Sequence, residues 1–197
     1  LSSGSWTVEG WFRTNDASAS DYNQALFAAS SDNYWGLMFN YDHVNTRGKL
    51  GMWMGNGSSW SIADTIGGST TLLADTWYQV AMVFNGSTYK VYLDGAIEGT
   101  TTGTREFVLS SERLYFGRYS SSALYYTGNI DEVGWWEGHT LTDAEVTQLY
   151  NRGAPIDLQT DSGNYTSSGD LTGYWRMGDG DTYPTIEDSE GSNNGTM

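Results

Sequence analysis

The chain has 197 residues, enough for about one domain; with 38% apolar residues, 15% aromatics, 25 Gly and 2 Pro it reads as folded and turn-rich, not as disordered. Nine basic against 24 acidic side chains give a net charge of −15, which argues against a nucleic-acid partner and an anionic membrane surface and favours hard cations such as calcium. Without Cys there are no disulfides or thiolate metal sites, and no run approaches about 18 apolar residues or has the layout of a signal peptide.

Apolar and polar residues alternate with period two over most of the chain, so strands dominate the expected elements. Ser5 to Arg13 sets Trp6, Val8 and Phe12 against Thr7, Glu9, Trp11 and Arg13. Trp35 to Tyr41 aligns Trp35, Leu37, Phe39 and Tyr41, and Lys49 to Gly55 aligns Leu50, Met52 and Met54. From Trp77 to Asn85 both faces are apolar, as in a strand covered on each side. Asn85-Gly86 then turns the chain into Thr88 to Asp94, and Asp94-Gly95 turns it again into Ala96 to Thr102; both dipeptides suit the positive φ of tight hairpin turns. Further strands are expected at Glu106 to Leu109, Arg113 to Arg118 and Thr127 to Glu137.

One helix interrupts the strands at about 142–150. Thr142 and Glu145 have capping-box spacing, Leu141 is placed to staple onto Val146, and Gly153 offers a left-handed stop. Residues 154–170 are polar and read as a loop or linker; a last aromatic strand, Leu171 to Met177, precedes an acidic, Gly-rich tail. About a dozen strands and one short helix give an all-β class, an antiparallel β-sandwich. The chain begins at Leu1 and ends at Met197 inside a polar Gly/Asn run, and is expected to be a piece of a longer polypeptide.

Four segments in order, Trp6 to Phe12, Asp75 to Phe84 with Val91 to Gly95, Leu114 to Arg118, and Gly128 to Val133 with Leu141 to Val146, resemble the laminin G-like branch of the concanavalin A-like lectin/glucanase superfamily. The resemblance implies a jelly roll over 1–153. The tail carries a fifth segment, Leu171 to Asp179 followed by Asp188 to Thr196, of a kind that in the family usually opens the domain. Either a truncated second repeat begins at about Asp170 or the segment folds back onto the first domain; fold-back is expected if the fragment is independently ordered, since an unpaired Tyr174-Trp175 strand exposes apolar surface.

The resemblance also implies a structural calcium. Asp131 matches a carboxylate that the family often supplies, and the acidic loop offers Asp188 with Asn193 or Asn194; carbonyls would complete the shell. The alternative is that Asp131 satisfies backbone groups and Asp188 is a solvated turn residue. Rings near strand ends, where a jelly roll clusters its loops, suit stacking on sugar C–H faces, with nearby polar groups for the hydroxyls. They are Trp35, Tyr41 with Asp42, Trp60 with Asp64, Tyr119 and Tyr126; core or rim packing is the competing role for each.

Catalysis has little support. The laminarinase-like glycoside hydrolases on this fold carry Glu-x-Asp-x-x-Glu on one strand, and no such run occurs. Asp131 and Glu132 are adjacent and point to opposite faces, His43 and His139 are isolated in sequence, and there is no Gly-x-Ser-x-Gly. The expected function is therefore non-catalytic recognition of a glycan or other surface ligand. The module would sit beside neighbouring domains in a larger extracellular, cell-surface or virion protein, without membrane insertion. The alternatives are a structural spacer or decoration domain and, behind it, a glycoside hydrolase.

Overall fold

The structure, a computed structural model, describes residues 4–15, 24–30, 35–39, 48–55, 60–103, 113–118 and 125–197. The expected strand at Glu106 to Leu109 lies outside the described residues. Among the described residues ten strands precede the helix: β1 (Trp6–Thr14), β2 (Gln24–Ser30), β3 (Trp35–Phe39), β4 (Leu50–Gly55), β5 (Trp60–Gly67), β6 (Trp77–Phe84), β7 (Thr88–Leu93), β8 (Ala96–Thr102), β9 (Arg113–Phe116) and β10 (Gly128–Glu137). Helix α1 (Asp143–Tyr150) and three short strands follow, β11 (Gly173–Trp175), β12 (Thr185–Ile186) and β13 (Gly195–Thr196).

Two antiparallel sheets form an all-β sandwich. One runs β11-β10-β1-β6-β7-β8 and the other β5-β4-β3-β2-β9, with β12 and β13 as a separate ribbon. Between the sheets lies a core of Trp6, Val8, Phe12, Val80, Met82, Phe84, Val91, Val133, Trp135 and Trp175, met from the five-stranded sheet by Leu26, Phe27, Leu50, Met52 and Ile66. Aromatic stacking stiffens it, with Trp6 on Trp135 at 5.7 Å and Phe84 on Tyr89 at 4.3 Å between ring centroids. Asp94 (φ 50°) and Gly95 (φ 74°) are both left-handed in the β7–β8 hairpin, the geometry that matches the twist of the paired strands.

The two apolar faces of β6 have a direct cause. Val80, Met82 and Phe84 enter the sandwich core, whereas Ala81 and Val83 enter a second core on the outer face of the same sheet. There Tyr92 and Trp136 are covered by Leu141, Val146 and Leu149 of the helical segment and by Leu158, Tyr165, Leu171 and Tyr174. A side chain at Gly134 would put a Cβ 2.6 Å from Leu158 Cδ1, so the covering chain lies directly on the strand.

Helix α1 begins as the capping box requires. Thr142 accepts from the Glu145 N–H and Glu145 accepts from the Thr142 N–H, satisfying two donors that the first turn leaves open. Its end comes earlier than Gly153: Asn151 already turns left-handed at φ 41°, followed by Arg152 and Gly153 with positive φ. Residues 154–170 are irregular apart from a 3-10 turn at Ser168–Asp170, yet packed, with Leu158 and Tyr165 buried. β11 pairs with β10 in the register Val133↔Trp175 and Trp135↔Gly173, and Trp175 enters the sandwich core.

Candidate functional site

The strand register places the expected ligand residues at different ends of the five-stranded sheet. Trp35, at the start of β3, pairs with Met54, and Trp60, at the start of β5, pairs with the adjacent Gly55. Their backbones therefore meet at one sheet end across β4. Asp64 falls in the part of β5 where the ladder slips from Ser61↔Met54 to Ile66↔Met52. Tyr126 belongs to the other end, where Gln24 pairs with Phe39 and the Gln24 side chain accepts from the Thr127 N–H at 2.8 Å. Its half-buried ring meets the edge of Phe12 at 6.1 Å and packs on the sandwich core; burial holds its hydroxyl above the ordinary tyrosine pKa. Tyr41, Asp42 and Tyr119 lie outside the described residues.

Of the expected metal residues, the structure brings Asp188 and Asn193 together. Asp188 Oδ1 accepts the N–H groups of Tyr174 (2.9 Å), Glu190 (3.2 Å) and Gly191 (3.0 Å), and Oδ2 accepts the Asn193 N–H (3.0 Å) and Nδ2 (3.4 Å). Burial raises the Asp188 pKa, but the N–H groups of Tyr174, Asn193, Gly191 and Glu190 together outweigh it, leaving the carboxyl below its ordinary value. Asn193 also accepts from Trp175 Nε1 through its carbonyl, so the loop is tied to the core.

Asp131, in β10 opposite Trp11, accepts from the Glu132 N–H at 3.0 Å and has its pKa raised, chiefly by burial. A calcium shell drawn on Asp188 would have to displace N–H donors that already occupy both of its oxygens. Among the described residues no three of His, Cys, Asp and Glu come close enough together to hold a metal ion.

Two polar constellations escaped sequence reasoning. Glu9 lies buried on the outer face of β1, accepting from Gln79 Nε2 at 3.0 Å. Burial above all, with the charge of Glu132 adding, pushes its pKa up to about 8 against the opposing pull of Gln79. Nearby, Tyr174 donates to Glu132, which also faces Arg176, and Glu132 takes a left-handed φ of 51° where the β1–β10 register shifts.

The second constellation runs from Asp170 to His139 Nδ1 at 3.5 Å and from His139 Nε2 to Ser167 Oγ at 2.9 Å; Ser167 then donates to Glu145. It has the order of an acid, a base and a hydroxyl nucleophile. However, Ser167 is only 4% exposed and its proton is directed at Glu145, so the row fastens the 167–170 turn to the helix start and offers no nucleophile to a substrate. No spacing motif links these positions, which meet only through the second core.

The sequence matches the family model described as the concanavalin A-like lectin/glucanases superfamily, in its laminin G form, over residues 1–147. The chain belongs to this superfamily. Solved structures agree with the laminin G-like sandwich. A candidate carbohydrate-binding protein from Bacteroides ovatus superposes with a TM-score of 0.72 at 18% identity, over 98% of this chain and 52% of its own. Domain 4 of the extracellular arabinanase AbnA from Geobacillus stearothermophilus, solved with arabinotriose, gives 0.59 at 21% identity over 76% of this chain and 68% of its own. The carbohydrate-binding module of the Ruminococcus gnavus sialidase gives 0.60 at 16%, over 75% and 83%. The chain thus spans about half the length of the Bacteroides protein, and at these identities the likeness is one of fold. No curated protein sequence matches it.

Proposed function

We propose that this laminin G-like chain is a non-catalytic carbohydrate-recognition module of a larger extracellular protein, and that the sheet end carrying Trp35 and Trp60 takes part in holding the sugar. The observation that carries the reading is the match, over 98% of the chain, to a candidate carbohydrate-binding protein. Two further matches, a domain bound to arabinotriose and a sialidase binding module, come from sugar-recognising parts of larger enzymes. Trp35 and Trp60 begin β3 and β5 at one sheet end, and an indole suits the apolar face of a sugar unit. The non-catalytic half is supported by the inaccessibility of Glu9 and Ser167. No helix among the described residues is long and apolar enough to cross a membrane.

Trp60→Ala tests the site. A role in the ligand predicts lost glycan binding at an unchanged melting temperature, whereas a role in packing predicts a loss of about 3 to 5 kcal/mol in stability. A stable W60A that binds as well as the wild type removes Trp60 from the site.

A further inference from the structure

A hollow of about 480 Å³ opens on the outer face of the six-stranded sheet, between the Asn85-Gly86 turn and the entry to α1. Its volume lies within the usual range for small-molecule sites, about 300 to 1,000 Å³. It belongs to the opposite sheet from Trp35 and Trp60. Val83, Tyr92 and Leu141 are buried beneath it. Along its rim Lys90 Nζ donates to Asp143 Oδ1 at 2.5 Å and the Tyr92 hydroxyl donates to the same oxygen at 2.7 Å.

That arrangement leaves convergent polar groups with spare capacity. Asn85 uses its Oδ1 on Ser87 and Thr88, which leaves its Nδ2 protons. Among the described residues Asp143 Oδ2 and Thr88 Oγ1 make no hydrogen bond, and the Lys90 ammonium spends one proton of three. The rim therefore offers both donors and acceptors over an apolar floor. Adjacent ring hydroxyls, each both donor and acceptor, complement such a rim, while the C–H face of the ring complements the floor. Lys90 and Asp143 neutralise each other, and a molecule of net charge −15 repels anions, so an anionic sugar is disfavoured, and the hydroxyl-rich face of a neutral one is what the rim complements.

We propose that this hollow is a second saccharide site, taking one neutral sugar unit held by Lys90, Asp143, Thr88 and Asn85. The site is separate from the Trp35–Trp60 end and does not depend on it. The test titrates the isotopically labelled full chain with arabinotriose and lactose as neutral probes and sialyllactose as an anionic one, following backbone amide signals.

The expected result is a saturable shift of Thr88, Lys90, Thr142 and Asp143 with a neutral probe, and a weaker response to sialyllactose. Lys90→Met is expected to raise the dissociation constant about tenfold and Thr88→Val several-fold, from the worth of the hydrogen bonds lost, at an unchanged melting temperature. If K90M melts lower, T88V decides, because it leaves the Lys90–Asp143 pair in place. No shift at these amides with either neutral probe up to about 20 mM, or undiminished affinity in the deciding variant, overturns the site. Shifts confined to the neighbourhood of Trp35 and Trp60 also overturn it, while leaving the recognition role of the module standing.

Discussion

At the scale of single residues, two buried carboxylates have opposite consequences. Glu9 has its pKa raised from 4.5 to about 8, chiefly by burial. The folded state therefore favours its protonated form, and the stability this contributes is complete below pH 4.5 and lost as pH rises through about 8. Urea unfolding midpoints are expected to fall across that window, and Glu9→Gln, which is neutral at every pH and keeps the shape, is expected to flatten the fall; an equal slope in E9Q would show that Glu9 carries no buried proton. Asp188 has the opposite sign. Its pKa is held below the ordinary carboxylate value, so its contribution is present above the unfolded pKa and lost as pH falls through the folded one. Asp188→Asn turns an amide N–H towards backbone donors and is expected to cost about 2 kcal/mol, measured by thermal melting at neutral pH. Neither role was legible in sequence. Alternation placed Glu9 on the face opposite Trp6, but not what covers that face, and Asp188 sits in a loop whose N–H groups converge only after folding.

At the scale of elements, local chemistry was well written in the chain. The Asp94-Gly95 turn and the Thr142–Glu145 capping box, specified by neighbours a few residues apart, form as expected, whereas at Asn85-Gly86 only Gly86 takes a positive φ, 92°, and Asn85 stands before it with its Oδ1 accepting the Ser87 and Thr88 N–H groups. The second core was hidden because its covering residues, Leu158, Tyr165 and Leu171, are scattered singly through a polar stretch, which gives no periodicity to read. The same reasoning makes the C-terminal segment integral to the sandwich. Trp175 is 5% exposed, packs on Phe116 at 5.0 Å and donates to the Asn193 carbonyl. Trp175→Ala is expected to lower the stability of the whole chain by about 3 to 5 kcal/mol in one cooperative transition. A second, separate transition, with the main one unmoved, would mean that β11 is an appendage.

At the scale of the molecule, the fold joins an aromatic sandwich to a second core that covers an outer face of the six-stranded sheet, and the two proposed saccharide sites lie at a strand end of one sheet and in the hollow by α1 on the other. The jelly roll was legible because four ordered segments share the superfamily's pattern. The candidate site was less so: residues grouped by strand-end position alone divide between the two ends of one sheet, with Trp35 and Trp60 at one and Tyr126 at the other, because which end a residue occupies depends on register that sequence does not give. The central claim is that the module recognises carbohydrate. A glycan array probed with the intact chain tests it most directly: saturable binding to a defined glycan class is the predicted result, and absence of binding to every immobilised glycan would contradict it.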